Sequence, residues 1–201
     1  MKKYELTAEF IEKWGKKLFR IKALISFGSV EAGELGGYVE KEDNLAQDGD
    51  AWVYGDAWVY GNAWVSGNAR VYGNARVYGD AEVYGNAWVS GGAEVSGNAR
   101  VYGNAWVYGD ARVSGNADYL LIGRIGSRFS FTTFFKNKDK GITVSCGCFL
   151  GTIAEFRAKV TDTHGNNKHA KMYNLAADMA ELQILGEEHF DKLNTNKSEP
   201  F

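Results

Sequence analysis

The chain has 201 residues, of which 45% are hydrophobic and 24% charged, and its formal net charge is −2. This length supports one or two domains with a sizeable core, and the near-zero charge gives no reason to expect bulk nucleic-acid binding. The only two cysteines, Cys146 and Cys148, lie too close together to staple distant segments, which excludes a disulfide-rich secreted fold. No apolar run reaches the roughly 18 residues that span a bilayer, and polar sequence follows Met1, so we expect a cytoplasmic protein.

Residues 1–38 are predicted to form an N-terminal β cap. Two short β-like runs, at residues 10–11 and 18–21, flank a turn at residues 14–17 and favour a hairpin. A helix that starts after Thr7 is the alternative. Val39 and Leu45 precede Ala51 at six-residue intervals, which predicts that a repeating structure begins irregularly before its regular part.

Residues 49–120 divide without a gap into twelve six-residue units. Each unit runs Gly, then Asn, Asp or once Gly, then Ala and a variable residue, and all but the last continue with Val and then Tyr or Ser. In an extended segment Ala and Val point to one side, which predicts that they line an interior, while the Gly-Asn and Gly-Asp pairs form corners. A fixed short period predicts a solenoid, here over residues 39–118. A chain of short β-hairpins is the alternative, because the same dipeptides favour hairpin turns.

This repeat resembles the hexapeptide-repeat left-handed parallel β-helix family, in which three six-residue sides make a coil of 18 residues. The resemblance implies a mainly β fold: a left-handed parallel β-helix of about four to five coils. Residues 18 apart would then stack, and the outward side chains sort into three faces. The first face, called here the tryptophan face, carries Trp52, Arg70, Trp88 and Trp106. The second carries Trp58, Arg76, Glu94 and Arg112, and the third carries Trp64, Glu82, Arg100 and Asp118.

The tryptophan face is the predicted interface of a homo-oligomer. Large exposed aromatic patches usually mark a contact with another surface, here a second subunit or the C-terminal region. The predicted interface residues are Trp52, Tyr54, Tyr72, Trp88, Trp106 and Tyr108. The alternative is that stacked rings and Arg side chains stabilise the coil itself.

Residues 119–193 are predicted to form a small α+β domain, followed by a flexible tail at residues 194–201. Residues 129–135 and 142–149 are typical of strands joined by a polar turn at residues 136–141. Thr152 with Glu155 predicts a capping box that opens a helix to about Thr163, with Gly165 as its stop. A second helix is predicted from about Ala170 to Leu185.

Catalytic chemistry finds little support in the sequence. All three histidines, His164, His169 and His189, lie outside the repeat, whereas acyltransferases and metalloenzymes built on this fold use histidines from the coils. The Cys146–Cys148 pair is compatible with redox chemistry, with a nucleophile paired to His164, or with a metal site completed by His164 and His169, but two small buried cysteines are the simpler interpretation. We therefore predict no catalytic residue, no metal and no cofactor.

A ligand site is predicted around the segment 123–128. Glycines permit close backbone approach, guanidinium groups bind phosphate or carboxylate in a bidentate manner, and hydroxyls add hydrogen bonds. The polar loop at residues 163–168 adds a second group that can contact an anion. The predicted ligand-binding residues are Arg124, Ser127, Arg128, Thr132, Thr133 and His164. The alternative is a loop in which the arginines pair with nearby acids.

The segments around residues 34–45, 125–135, 144–156 and 160–173 resemble those of small phage-encoded hexapeptide-repeat proteins, often described only as polymer-forming. The resemblance implies a phage accessory protein in the bacterial host cytoplasm and carries over no catalytic residue. The leading hypothesis is a homo-oligomer that binds a host protein or a small anionic, nucleotide-like ligand, with a counter-defence role. The alternatives are a structural self-assembly module and a hexapeptide-repeat transferase.

Overall fold

A computed structural model describes the backbone of residues 1–195. The chain divides into two compact units, Met1–Asn116 and the residues from Ala117 onward. The first unit holds the cap and the repeats, and the second holds the mixed helix and sheet region.

The N-terminal unit begins with a hairpin of β1 (Tyr4–Lys13) and β2 (Lys16–Ala23), followed by β3 (Leu35–Val39). The two turn residues, Trp14 and Gly15, have φ of 51° and 73°, the left-handed conformations that a tight hairpin turn requires. The predicted hairpin is confirmed, and a helix after Thr7 is wrong, because Leu6 pairs with Ile21 across the hairpin.

The repeats form a β-solenoid whose strands are two residues long. They are β4 (Trp52–Val53), β5 (Trp58–Val59), β6 (Trp64–Val65), β7 (Arg70–Val71), β8 (Arg76–Val77), β9 (Glu82–Val83), β10 (Trp88–Val89), β11 (Glu94–Val95), β12 (Arg100–Val101), β13 (Trp106–Val107) and β14 (Arg112–Val113). Trp52 pairs in parallel with Arg70, Arg70 with Trp88, and Trp88 with Trp106, so each coil has 18 residues. The pairing confirms the solenoid and the sorting into three faces and rules out a chain of hairpins, while the left-handed sense stays a prediction.

Side-chain size explains why the coils stack. Every repeat Ala and Val from Ala51 to Val113 is buried in the interior of the coil, as the alternation predicts. The corner residue Gly85 has φ of +71°, and a Cβ there would lie 3.0 Å from the backbone nitrogen of Gly103 in the next coil. Glycine at this corner therefore satisfies both the local conformation and the approach of the next coil.

Both ends of the repeat differ from its middle. At the start, Val39 pairs with Val59 and Leu45 bridges to Val65, an offset of 20 residues instead of 18, which confirms the irregular beginning. At the end, the last predicted unit turns into a 3₁₀ helix at Asn116–Asp118. Asp118 is buried and its carboxylate lies 3.0 Å from Lys136 Nζ, so its assignment to the third face is wrong.

The second unit contains one antiparallel sheet and three helices. The strands are β15 (Tyr119–Ile125), β16 (Ser130–Lys136), β17 (Ile142–Cys146) and β18 (Phe149–Thr152), adjacent in chain order. The helices are α1 (Ile153–His164), α2 (Lys168–Leu185) and α3 (Glu187–Thr195). Thr152 and Glu155 form the predicted capping box, and Gly165 and Gly186 end α1 and α2. β15 and α3 were not expected, and the predicted tail overlaps α3 at residues 194–195 and otherwise lies outside the described residues.

The core of this unit lies between the sheet and the helices α1 and α2. Phe156 on α1 packs edge-on against Phe134 of β16 and Tyr173 of α2, with ring centroids 5.8 and 5.6 Å apart. Val144 and Ala177 complete the contact and are fully buried. This core packs α1 against the sheet.

Candidate functional site

A cleft of about 360 Å³ opens in the second unit between two strand turns and the helices α1 and α2. Ser127 and Arg128 come from the turn between β15 and β16, and Gly147 and Cys148 from the turn between β17 and β18. Its remaining lining residues are Ser130, Cys146, Phe149, Phe156, Lys159, Val160, Thr163, His164 and Tyr173.

The cleft is rich in basic groups. Arg128, Lys159 and His164 line it, and no Asp or Glu is among the lining residues. Within the described residues Arg128 makes no ion pair and no hydrogen bond. Lys159 Nζ lies 3.1 Å from Asp162, but this pair is exposed and therefore weak. The cleft thus presents positive charge that the side chains described by the structure leave largely uncompensated.

Aromatic rings supply the apolar side of the cleft. Phe149, Phe156 and Tyr173 line it, and the ring of His164 stacks on that of Tyr173 with centroids 5.7 Å apart. Burial and the neighbouring Cys146 together raise the pKa of Tyr173 to about 12, although the Arg128 guanidinium opposes this change. Tyr173 therefore stays a neutral hydroxyl at physiological pH.

Two glycines bring the strand turns close to these groups. Gly126 has φ of +73°, and a Cβ there would collide with the Tyr173 side chain. At Gly147 a Cβ would lie 3.9 Å from Nη1 of Arg128, which places the guanidinium beside the turn between β17 and β18. The glycines thus permit the close approach that shapes the cleft.

The structure brings together only half of the predicted ligand-binding residues. Ser127, Arg128 and His164 line the cleft. Arg124 is exposed on β15 and is not among the residues that line the cleft, so its role in ligand binding stays a prediction. The two threonines are wrong as direct ligand contacts, because Thr132 and Thr133 are buried on the inner strand β16. The hydroxyl of Thr132 donates a hydrogen bond to Cys146 Sγ at 3.2 Å instead.

Sequence reasoning missed Lys159, Tyr173 and the two phenylalanines of the cleft. The sequence could have indicated Lys159, because Lys159 and Thr163 are four residues apart on the predicted helix and must share a face. Tyr173 carried no local signal, since only the packing of α2 on α1 brings it beside His164.

The cysteines are free, with Cys146 partly buried and Cys148 exposed. The rings of His164 and His169 lie 5.8 Å apart. Among residues 1–195, no three His, Cys, Asp or Glu side chains gather in an arrangement that fits a metal ion.

The predicted interface on the tryptophan face needs one correction. Trp52 is fully buried against Tyr4 and Phe27 of its own chain, so it cannot contact a second subunit. Tyr54 is partly exposed, and its hydroxyl lies 3.3 Å from the Ser29 hydroxyl. Trp52 is the outward residue of the first coil, and the N-terminal cap therefore covers its side chain.

Further along this face the rings contact one another. Trp88 stacks on Trp106 with centroids 5.0 Å apart, Tyr72 meets Trp88 edge-on, and the Arg70 guanidinium lies 5.3 Å from the Trp88 ring. Such contacts stabilise the coil by themselves. Trp106 nevertheless remains exposed.

The fold and these contacts define the protein as a repeat β-solenoid protein with an additional sheet and helix unit. The family model described as the YdcK Beta solenoid repeat matches residues 63–79, 69–83, 75–91 and 93–109, so the repeats are similar to that family. No curated protein matches the chain. Within residues 1–195, no helix combines the length and the apolar composition needed to cross a membrane.

Proposed function

We propose that the protein is a non-enzymatic binding protein whose C-terminal unit takes a small anionic, nucleotide-like ligand in the cationic cleft. The observation that carries this proposal is the Arg128 guanidinium, which has no ion-pair partner among the described residues and lines a cleft without carboxylates. Arg128 is exposed, so its guanidinium is accessible to a ligand. An anion at this position would gain charge-assisted hydrogen bonds without displacing a carboxylate of the protein.

The chemistry of the lining selects the ligand class. Arg128 can bind a phosphate or carboxylate through two parallel hydrogen bonds, and Lys159 adds a second positive charge. The rings of Phe149 and Tyr173 offer an apolar surface to a flat group such as a base. The volume of about 360 Å³ lies in the range of small-molecule sites and suits a mononucleotide better than a polymer.

The biological setting that we propose rests on the resemblance to phage hexapeptide-repeat proteins. In that setting the protein forms a homo-oligomer in the cytoplasm of an infected bacterium and counters host defence. It does so by sequestering a nucleotide signal or by binding a host protein.

Native mass spectrometry of the full chain purified from its bacterial host tests the ligand proposal. We expect a noncovalent adduct of anionic character, and we expect the Arg128→Ala variant to lose it. The matched control is Arg124→Ala, which removes the same charge outside the cleft. An adduct that survives Arg128→Ala would contradict the proposal.

A panel of nucleotide probes tests the same site through thermal stability. We expect AMP, ADP and cyclic AMP to raise the melting temperature more than uncharged adenosine does. Equal shifts with adenosine, or no shift with any nucleotide and no adduct, would reject the nucleotide-like class.

Two other functions remain as alternatives with their own readouts. A structural self-assembly module is favoured by the exposed ring of Trp106, which stacks on the partly buried Trp88, and predicts concentration-dependent filaments. A transferase is favoured by Cys146, which lines the cleft together with His164, and predicts turnover that Cys146→Ala or His164→Ala abolishes.

A further inference from the structure

Helix α2 carries a row of exposed apolar side chains that the core does not use. We call this row the α2 seam: Met172, Leu175, Met179 and Leu182. Between 40% and 63% of each residue's area is exposed, although all four are hydrophobic. Their spacing of three, four and three residues places them along one stripe of the helix, about 15 Å long.

The seam is separate from the face that packs in the core. Ala170, Tyr173, Ala177, Ala180 and Ile184 of the same helix are buried against the sheet and α1. A helix of a monomeric protein normally has one apolar face and one polar face. The second apolar stripe of α2 therefore indicates a second contact.

The charges at the two ends of the seam are opposite. Lys168 and Lys171 lie in the first turn of α2, and Glu187 and Glu188 come directly after its end at Gly186. Within residues 1–195 none of these four side chains makes an ion pair. Lysines at a helix N-terminus oppose the helix dipole, so the helix gains nothing from them there.

We propose that the α2 seam packs against the α2 seam of a second copy of this chain, in the antiparallel direction. In this arrangement Met172 lies opposite the partner's Leu182, and Leu175 lies opposite the partner's Met179. The lysines at the start of one helix then lie beside the glutamates at the end of the other. A parallel arrangement would instead place lysine beside lysine and glutamate beside glutamate.

The proposal stands independently of the anionic ligand, because no residue of the α2 seam is among those that line the cleft. It also assigns the homo-oligomer an interface other than the tryptophan face. The two interfaces can be tested separately, since their residues belong to different units.

Sedimentation equilibrium of the full chain over a range of concentrations tests the seam. We expect a dimer in the wild type and at least about a tenfold rise in its dissociation constant in Leu175→Glu/Met179→Glu. The control is Leu150→Glu, an exposed leucine of β18 in the same unit that is outside the seam. Circular dichroism of each variant establishes that it remains folded.

Charge exchange tests the direction of pairing. We expect Lys168→Glu/Lys171→Glu to weaken the dimer at low ionic strength and the further change Glu187→Lys/Glu188→Lys to restore it.

A monomeric wild type at all concentrations would overturn the proposal. A dimer that survives Leu175→Glu/Met179→Glu but dissociates in Trp88→Ser/Trp106→Ser would overturn it as well. If the glutamate-to-lysine changes do not restore the dimer, the antiparallel direction is wrong. Ligand retention is measured in the same samples, so failure of the seam and failure of the cleft give different results.

Discussion

The indole ring of Trp52 meets the phenol ring of Tyr4 edge-on, with ring centroids 6.0 Å apart, and both side chains are fully buried. The ring of Phe27 also packs edge-on against the Trp52 indole, with ring centroids 5.4 Å apart. The Tyr4 hydroxyl lies 2.7 and 2.8 Å from the carbonyl oxygens of Glu42 and Leu45. These contacts pack β1 against the first coil of the solenoid. The cap therefore covers the N-terminal end of the solenoid, which would otherwise expose unpaired strand edges.

Trp52→Ala is expected to destabilise the protein by about 3–5 kcal/mol, because it leaves a cavity under the cap. Trp64 occupies the equivalent outward position of the third face and is half exposed. Trp64→Ala is therefore the control and should cost about 1 kcal/mol or less. Urea unfolding of the two variants measures the difference, and similar costs would show that the cap does not depend on Trp52.

Lys3 predicts a pH dependence of stability. Its ammonium group is buried, donates hydrogen bonds to the carbonyl oxygens of Asp48, Gly49 and Ala51, and lies 4.9 Å from the Phe27 ring centroid. Burial lowers the pKa of Lys3 from 10.5 to about 8, although Asp48 and Asp50 oppose this change. Between these two values the unfolded chain binds more protons than the folded chain, so the free energy of unfolding rises with pH.

We expect the wild type to gain about 2 kcal/mol over Lys3→Met between pH 7 and pH 9.5. Methionine keeps most of the side-chain volume and does not titrate, so the comparison isolates the amine. Urea unfolding at both pH values measures the gain. A constant difference between wild type and variant would show that the Lys3 amine has an ordinary pKa.

The corner glycines allow a prediction with an internal control. Gly55 and Gly85 both have positive φ, but a Cβ at Gly55 meets nothing within 4 Å, whereas one at Gly85 lies 3.0 Å from the nitrogen of Gly103. Gly55→Ala is expected to cost about 1 kcal/mol from the backbone conformation alone. Gly85→Ala should cost about 1–3 kcal/mol more, because the added carbon pushes two coils apart. Equal losses in thermal unfolding would mean that coil spacing tolerates the extra atom.

Trp88→Ser/Trp106→Ser tests the tryptophan face as an interface. If a second subunit covers the exposed Trp106, the variant should show a lower mass than the wild type in light scattering. If the rings act only along the coil, the mass stays unchanged and the melting temperature falls, because the stack between Trp88 and Trp106 is lost. Trp64→Ser serves as the control for removing a single outward ring.

The candidate site shows where sequence reasoning reached its limit. Arg128 was predicted because glycine, hydroxyl and guanidinium groups occur together in one short segment. Thr132 and Thr133 had the same appearance but are buried, because both faces of β16 are covered. Nothing local distinguishes the exposed turn from the strand that follows it, because the difference arises from what packs over the two faces of the sheet.

The repeat region is specified locally: a six-residue period sets which side chains face inward, and glycine at each corner permits the turn. Each strand pairs with the strand 18 positions further along the chain, so the pattern of one coil predicts the next. The burial of Trp52, the cleft around Arg128 and the exposed seam on α2 depend on contacts between segments that share no period. Tyr4 reaches Trp52, and Tyr173 reaches His164, only because separate elements pack together. Such packing depends on the shapes and volumes of the whole set of side chains, which no single stretch of sequence contains.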